Sequence, residues 1–313
     1  MKFHHPLLYL AMAVALTACD NDDHQPDDDR KPDVNNTNRN VVKNGQRQEI
    51  LRLEFPNMNH DGADNTLIIH EASVPEGNDR VNYATEWNTA LKANRWSCYQ
   101  MYATNQVSRT SRYKIEYGTS AYWSEQYPTD PALSAGQGWT SGKDTDPYWG
   151  SSYSHGHICP SADRLYSATA NKQTFYLTNM APMKQNFNAG VWGNMENRLR
   201  SWMNKNSPKT DTLYVCKGGT IDNPTHYTVS NRGLPIPKYF FCALLMKNAQ
   251  GYKAIGFWFE HKPNKDTNLG KYAVNIHELE QLTKLDFFCN LPDDIENKVE
   301  SLADDSMKRA WGL

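Results

Sequence analysis

The chain has 313 residues, a formal net charge of −2 and six cysteines. This length is enough for a domain with a sizeable core. The near-neutral charge excludes a protein that binds nucleic acid through a generally basic surface, so any such binding needs a local site. The five cysteines that follow Cys19 are odd in number and lack the C-x-x-C spacing of zinc sites. At least one thiol is therefore expected to be free.

The N-terminus has the pattern of an export signal. An apolar run follows Lys2 and is too short to cross a bilayer, which is typical of a signal peptide. The run ends with Leu-Thr-Ala directly before Cys19, which resembles the cleavage and lipidation site of bacterial lipoproteins. We therefore expect residues 1–18 to be a signal peptide and Cys19 to anchor an exported protein in a membrane. The outer membrane or cell surface is the expected location, with the periplasmic face as an alternative. An ordinary secretory signal beside an unrelated cysteine is the other interpretation.

The segment after Cys19 is rich in Asp and Asn and almost free of aromatic and branched apolar residues. Such a segment buries too little surface to offset the entropy lost on ordering. The sequence therefore predicts a disordered tether over residues 19–46. It predicts one domain over residues 47–313.

Strands are predicted where Tyr, Phe, Trp, Val and Leu are frequent and where Gly, Pro or Asn lie at the ends. These segments are residues 96–103, 175–178, 213–217, 239–246 and 252–259. Residues 117–153 are rich in Gly, Ser and Pro and show little periodicity, which predicts a long loop. The aromatic side chains of this loop have the chemistry to stack on bases, although packing within the loop is the more common role.

The clearest helix is predicted between Asn188 and Asn204, where apolar residues recur at helical spacing. Glu196 and Arg200 lie one turn apart at the edge of this apolar stripe. Taken alone, Asn188 is an N-cap, and Glu196 with Arg200 is a surface ion pair.

A second helix is predicted to begin at Asn275, whose side chain can cap it together with Glu278. A short strand over 287–289 and a turn over 291–294 are predicted to follow. Because strands and helices do not alternate regularly, the sequence indicates the α+β class.

Two segments, 154–164 and 174–196, contain the side chains with catalytic chemistry. His155 and His157 alternate and can share one face of a strand, which makes them a possible half-site for zinc, but no third ligand stands at a convincing spacing. Hydrolysis of a phosphodiester instead needs a base, a cation and positive charge on the phosphate. A histidine can be the base, an Asn amide and a Glu can serve a magnesium site, and Arg can hold the phosphate.

Three linked motifs resemble the DNA/RNA non-specific endonucleases, the group of Serratia nuclease and endonuclease G. The Asp-Arg-Gly-His hallmark of that family ends as Gly156-His157 does here. Its Ser-Asn-x-x-Pro segment is matched by residues 178–182, and its Asn-x-x-x-Trp-x-x-x-Glu helix by residues 188–196. With weaker matches at 108–109 and 291–294, the resemblance extends over most of residues 80–300.

The resemblance implies a central antiparallel β-sheet flanked by helices, with a ββα-metal active-site motif that cleaves DNA and RNA. It implies that His157 is the general base and that Asn188 is the direct metal ligand. Glu196 would orient water at the metal, while Arg200 and Arg109 would contact the phosphate. The implied metal is Mg²⁺, with Mn²⁺ or another divalent cation as alternatives, and no obligate protein partner is evident.

The sequence departs from the family at the hallmark, where Ser154 and His155 replace the Asp and Arg. The loss of the acid leaves open what ties this strand down, and the loss of Arg removes a positive charge near the base. His155 and Arg164 are the candidates to replace that charge at the substrate, and Asn179 is expected to support the site as a substrate-binding residue. Activity is therefore expected to persist but to be weaker or more dependent on pH.

Three rival functions fit parts of the sequence. A non-catalytic nucleic-acid-binding module on the same fold would not need to retain base, metal ligand and Glu together. A glycan-binding surface lipoprotein would use the aromatic loop and leave Asn188, Glu196 and Arg200 without a role. A zinc hydrolase would use His155 and His157.

Overall fold

A computed structural model of the chain describes residues 35–59, 62, 64–74, 79–115, 123–203 and 211–313. The predicted signal peptide, Cys19 and most of the predicted tether lie outside these residues. Within the described part, no helix combines the length and apolar character needed to cross a membrane.

The described strands are listed here in chain order, with β4 and β5 forming the site described below. They are β1 Asn65–Glu71, β2 Val81–Asn88, β3 Ala93–Tyr102, β4 Ser154–His157, β5 Met180–Met183, β6 Thr212–Gly219, β7 Tyr227–Val229, β8 Pro235–Pro237, β9 Tyr239–Asn248, β10 Gly251–Glu260 and β11 Ala273–Val274. An antiparallel sheet contains seven of them in the order β1-β2-β3-β6-β9-β10-β11. Two small antiparallel sheets pair β4 with β5 and β7 with β8.

The described α-helices are α1 Ala168–Gln173, α2 Gln185–Phe187, α3 Gly193–Trp202, α4 Ile276–Thr283, α5 Asp293–Glu300 and α6 Asp304–Trp311. A π-helical turn, Asn188–Trp192, joins α2 to α3. Side chains alternate along a strand, so the central strands bury apolar residues on both faces of the large sheet. In β9, Leu244 packs in the core cluster that contains α3, and Leu245 packs in the cluster that contains α4. The predicted α+β class with a central antiparallel sheet is confirmed.

Four of the five predicted strands are confirmed within a few residues by β3, β6, β9 and β10. The prediction over 175–178 is wrong, because a 3-10 turn precedes β5 there. The strand predicted over 287–289 is also wrong: Phe288 has a φ of 57°, which a strand does not allow. Both phenylalanines at 287 and 288 are buried, so their apolar character reports burial and not strand structure.

The helix predicted between Asn188 and Asn204 is interrupted by the π-helical turn, and Asn204 lies outside the described residues. The predicted cap at Asn275 is confirmed, because its side chain accepts a hydrogen bond from the backbone N–H of Glu278 at 2.8 Å. The predicted turn at 291–294 instead leads into α5, which begins at Asp293.

The folded unit begins earlier in the chain than the predicted boundary at residue 47, because it includes residues 35–46. Asn40 is fully buried, and its side-chain amide donates to the carbonyl oxygens of Ile50 and Pro56 at 2.9 and 3.1 Å. Its backbone N–H donates to the side chain of Asn290. Composition suggested disorder here because polar side chains were counted as solvated, whereas several of them bond to the domain.

Candidate active site

The base predicted from sequence lies on the two-stranded sheet of β4 and β5, where His157 pairs with Met180. Gly156 separates the two histidines of β4. A Cβ atom at this position would lie 2.4 Å from the side chain of Met183 and 2.9 Å from the carbonyl oxygen of Ala181. Only glycine therefore allows β4 to pack this closely on β5.

The π-helical turn joins this sheet to α3. Trp192 donates its indole N–H to the carbonyl oxygen of His157 at 3.3 Å, which fixes the helix against the strand. Gly190 has non-helical backbone angles, and its position leaves only 1.9 Å between a Cβ atom and the carbonyl oxygen of Asn264. The same oxygen accepts a hydrogen bond from Val191. The π-helical turn thus sets the position of Asn188 relative to His157.

His157 has the properties of a base that is neutral near physiological pH. Its ring lies edge-on to Phe175, with ring centroids 4.8 Å apart. Its Nε2 atom is buried and has no hydrogen-bond partner among the described residues. Burial lowers the pKa of His157 well below its usual value of 6.5, and the charges of Arg112 and Lys217 lower it further. A neutral imidazole with an unpartnered nitrogen can accept a proton from water.

The side chain of Asn188 is partly exposed and forms no hydrogen bond with the described residues. Its amide oxygen suits a magnesium ion that keeps most of its waters and takes one or two protein oxygens. No group of three His, Cys, Asp or Glu in the described ranges is arranged to hold a metal. That finding gives no support to a zinc site on His155 and His157, whereas a site with a single amide ligand needs no such group.

A buried lysine, which the sequence analysis did not identify, holds Glu196. Lys217 comes from β6, is fully buried, and places its Nζ 3.0 Å from Oε1 of Glu196. The ammonium also lies 4.9 Å from the centroid of the Trp192 ring, a cation–π distance. Burial raises the pKa of Glu196, and Lys217 opposes that rise by favouring the carboxylate. The one sequence signal for Lys217 is strand alternation, because it lies on the same face of β6 as Leu213 and Val215.

Arg200 pairs with a different acid from the one predicted. Its guanidinium lies 2.7 Å from Oδ1 of the fully buried Asp163, and Oδ2 of Asp163 accepts a hydrogen bond from the Tyr99 hydroxyl at 3.1 Å. A second guanidinium nitrogen donates to Asn197 at 2.8 Å. The default interpretation of Glu196 and Arg200 as a surface ion pair is wrong, since each has its own buried partner. Both nevertheless lie at one edge of the site.

A positive charge beside His157 comes from Arg112, which the sequence analysis did not single out. The guanidinium of Arg112 lies 4.7 Å from the centroid of the Phe175 ring, which also contacts His157. Arg109 and Arg112 are both exposed, and the backbone N–H of Arg109 donates to Leu165. A role of Arg109 at the phosphate stays a prediction. The sequence carried a clue, because the Ser-Arg pair at 108–109 is repeated at 111–112.

His155 ties β4 to the long loop instead of pointing a free ring at the substrate. Its Nε2 lies 2.8 Å from Oδ2 of Asp146, a carboxylate that is fully buried. Its ring is stacked between Tyr127 and Tyr148, at centroid distances of 3.6 and 4.2 Å. The predicted substrate contact through this ring is therefore not what the structure shows. Two contacts hold the altered hallmark strand in place. Asp146 pairs with His155, and the hydroxyl of Ser154 donates to Gln185.

Arg164 and Asn179 are too deeply buried to touch a substrate, which corrects the prediction that they bind it. Arg164 donates to the carbonyl oxygens of Asp163 and Gln100, both at 2.9 Å. The side chain of Asn179 bonds to both backbone groups of Cys159, at 2.8 and 2.9 Å, and to the carbonyl oxygen of one further residue. Asn179 thus fixes the chain where it leaves β4, which agrees with its expected supporting role. All five described cysteines are free and buried, which includes the free thiol that the odd number predicts.

Comparison with known proteins places these residues in a family context. Residues 63–294 match the family described as DNA/RNA non-specific endonuclease. A nuclease of Nostoc sp. is 25% identical over 235 residues, which cover 71% of this chain and 76% of that protein. The mitochondrial nuclease EXOG of Xenopus laevis is 22% identical over 70% of this chain and 60% of its own length.

Human mitochondrial endonuclease G is 26% identical over 157 residues, which are 46% of this chain and 51% of that protein. The chain therefore spans between half and three quarters of the length of these relatives. A solved complex of EndoG with EndoGI aligns with a TM-score of 0.55 at 18% identity, covering 72% of this chain and 87% of that one. At this identity the structural likeness supports the fold alone.

Proposed function

Because the chain belongs to the DNA/RNA non-specific endonuclease family, whose nucleases depend on a divalent metal, we propose that it cleaves both DNA and RNA with Mg²⁺ and uses His157 as the general base. Its standing as a nuclease that hydrolyses nucleic acids rests on the family. The roles of individual residues and the choice of metal are the proposal. Mn²⁺ or another divalent cation is the alternative metal.

The observation that carries the proposal is the buried, unpartnered Nε2 of His157. A buried polar atom without a partner is uncommon in proteins and calls for an explanation. Here the atom belongs to a ring whose pKa is lowered, beside the Arg112 guanidinium and on a strand fixed to the helix that carries Asn188. A water molecule placed by the substrate would supply the missing partner, which is the geometry required of a general base.

The other residues would act around that proton transfer. Asn188 would hold the metal, which when bound supplies positive charge to the phosphate and the leaving oxygen. One oxygen of Glu196 accepts from Lys217, and the other has no partner among the described residues and can orient water. Arg112 and Arg200 would hold the phosphate, with Asp163 fixing the direction of the Arg200 guanidinium.

Plasmid cleavage tests the base and the metal together. Replacing His157→Ala should lower the rate about 10²- to 10⁴-fold, as expected for the loss of a general base. EDTA should stop cleavage by the wild type, and added Mg²⁺ should restore it. The control is His277→Ala, which removes an exposed histidine from α4. Equal cleavage by the wild type and the His157 variant would rule out His157 as the base.

We also propose that Cys19 carries lipid and anchors the nuclease to a bacterial membrane, with residues 1–18 removed as a signal peptide. The support is the sequence pattern of small residues before this cysteine. In fractionated cells the wild type should accompany the membranes, whereas a Cys19→Ser variant should be soluble. Membrane association that survives this substitution would contradict the lipid anchor.

A further inference from the structure

A cavity of about 200 Å³ lies beside the active site, at the end of the β4–β5 sheet away from His157. Tyr153 precedes β4 and Lys184 follows β5, and these ends of the two strands are paired through Ser154 and Met183. The β7–β8 hairpin forms the opposite wall. The described residues of the lining are Tyr153, Lys184, Thr225, Tyr227, Thr228, Ile236, Pro237, Lys238 and His261.

The lining has positive charge and no negative charge. Lys184 and Lys238 both line the cavity, and none of the described lining residues is Asp or Glu. Glu260, next to His261 in the chain, is half exposed and paired with Lys262 at 2.6 Å. Its pKa is lowered by Lys262 and, more weakly, by Lys238 and Lys184. The Lys238 ammonium lies 5.3 Å from the centroid of the Tyr239 ring. Two lysines that line one small cavity, with the adjacent acid paired to Lys262, favour a bound anion.

His261 makes the cavity rigid and adds no charge of its own. Its Nδ1 lies 2.8 Å from the carbonyl oxygen of Pro237, and its Nε2 accepts the backbone N–H of Lys184 at 2.8 Å. Both ring nitrogens are therefore used, and burial lowers the pKa of His261 to about 4. The ring joins the two walls, so the shape of the cavity is set before any ligand arrives.

The remaining lining side chains suit the other parts of a nucleotide. Tyr153 and Tyr227 present aromatic rings, which stack on bases of any sequence. Thr228 is an exposed hydroxyl residue that can bond to phosphate or sugar oxygens, whereas Thr225 already donates its hydroxyl to Asn223 at 2.8 Å. The volume is smaller than that of a typical small-molecule pocket, which fits an open subsite for part of a polymer better than a closed ligand site.

The position of the cavity relates it to the reaction. Lys184 precedes Asn188 by four residues, about 6 Å along a helix. Tyr153 lies four residues before His157 along the chain, about 13 Å for an extended strand. The cavity is thus within the reach of a nucleotide next to the phosphate that is cleaved.

We propose that this cavity is a nucleotide subsite that binds the phosphate and the unpaired base of a residue next to the scissile bond. The proposal rests on the proposed nuclease function and names a part of its substrate. Lys184 and Lys238 bind the phosphate, and Tyr153 with Tyr227 stacks on the base. Stacking on either ring requires a base that has left its duplex, so the subsite favours single strands over duplexes.

The experiment measures binding without cleavage, in the His157→Ala background, by the fluorescence anisotropy of a labelled oligodeoxythymidylate in magnesium buffer. The double variant Lys184→Ala/Lys238→Ala should bind about tenfold more weakly. The slope of log K against the logarithm of the salt concentration should fall in magnitude by about 1.4, or 0.7 for each lost phosphate contact to a single strand. The control pair is Lys247→Ala with Lys298→Ala. Both control lysines are exposed, and Lys247 lies nine residues from Lys238 along β9, about 30 Å away.

A second arm separates the base from the phosphate. Tyr153→Ala should weaken binding of the oligodeoxythymidylate about fivefold or more, yet leave binding of an abasic oligonucleotide of the same length unchanged. Equal losses in the two lysine pairs would overturn the subsite in favour of diffuse attraction. A tyrosine effect that is absent, or the same on the abasic strand, would overturn the base contact. Plasmid cleavage by the enzyme with His157 intact is measured in parallel, so failure of the subsite is distinct from failure of the nuclease.

Discussion

Two groups of buried carboxylates lie on opposite faces of the large sheet, and the protein stabilises them in different ways. On the face of α3, Glu196 has Lys217 at 3.0 Å and Asp163 has Arg200 at 2.7 Å. Each acid of the active site thus has a cation from another segment of the chain. A buried charge costs several kcal/mol unless it is paired in this way.

On the opposite face, an acid cluster joins α4, α5 and the loop between them. Its members are Glu280, Asp286, Glu296 and Glu300. Burial, followed by repulsion from neighbouring carboxylates, raises the pKa of Glu280 to about 8 and that of Glu300 to about 10. The pKa of Glu296 rises to about 7, although its carboxylate accepts a hydrogen bond from Asn38 at 2.9 Å.

The difference shows two ways of accommodating a buried acid. The candidate active site places a basic partner beside each acid, and such partners favour the carboxylate form that can act on a metal or a phosphate. The acid cluster is instead neutralised by bound protons near neutral pH, because the charged groups that shift these three glutamates are all carboxylates. We therefore expect the cluster to make stability dependent on pH, and the active site to be sensitive to the loss of a single partner.

The largest effect on stability is expected from Lys217→Met. It leaves Glu196 buried without its cation, and breaking such a pair costs about 3–5 kcal/mol. Adding Glu196→Gln should recover part of the lost free energy of unfolding, because the unpaired charge is then removed as well. Urea unfolding of the wild type, both single variants and the double variant measures this. A double variant no more stable than Lys217→Met would show that packing of the lysine matters and the ion pair does not.

A smaller effect on stability is expected from a change of pH, which titrates the acid cluster. The pKa values of its glutamates are higher in the folded protein than the value near 4.3 in unfolded chains, so folding is favoured by bound protons. This stabilisation is complete below about pH 4 and is lost as the pH rises through the folded values of about 7 to 10.

Glu300→Gln should reduce this loss by at least about 1.4 kcal/mol between pH 6 and pH 9, the equivalent of one pKa unit. Urea unfolding at the two pH values measures it. The exposed Glu278→Gln on α4 serves as the control and should follow the wild type. A Glu300 variant with the pH dependence of the wild type would mean that the cluster is charged in the folded protein, like the active site.

The smallest effect is expected from His155→Arg, which restores the residue that the family hallmark has at this position. A guanidinium is always charged, stacks on aromatic rings and can bond to Asp146. It should therefore fit between the rings of Tyr127 and Tyr148 that now stack on His155. The added charge near the base should raise the rate of plasmid cleavage. A rate that stays the same across the pH range would show that Asp146 neutralises position 155 whichever residue stands there.

Much of the fold was predictable because apolar strand patterns are local. The central strands β3, β6, β9 and β10 were recognised for this reason. The first two strands, β1 and β2, were missed because their polar and apolar residues are mixed. The buried turn near Phe288 has the apolar composition of a strand, because burial alone favours the same residue types.

The sequence by itself pointed to the proposed base, metal ligand and acid of this site: His157 follows Gly156 in a short motif, and Asn188 and Glu196 stand at a fixed spacing along the chain. Such local spacings survive in a linear sequence. Tertiary structure alone decided that Lys217 pairs with Glu196 and that Arg112 packs on Phe175 beside His157.

Tertiary structure also decided the role of His155, whose partner Asp146 comes from the long loop. These partners come from separate segments, and their charges depend on burial, which no spacing along the chain reveals. The same holds for the carboxylates compared above. All are Asp or Glu in the sequence, and only packing distinguishes those that face a basic partner from those that face other carboxylates.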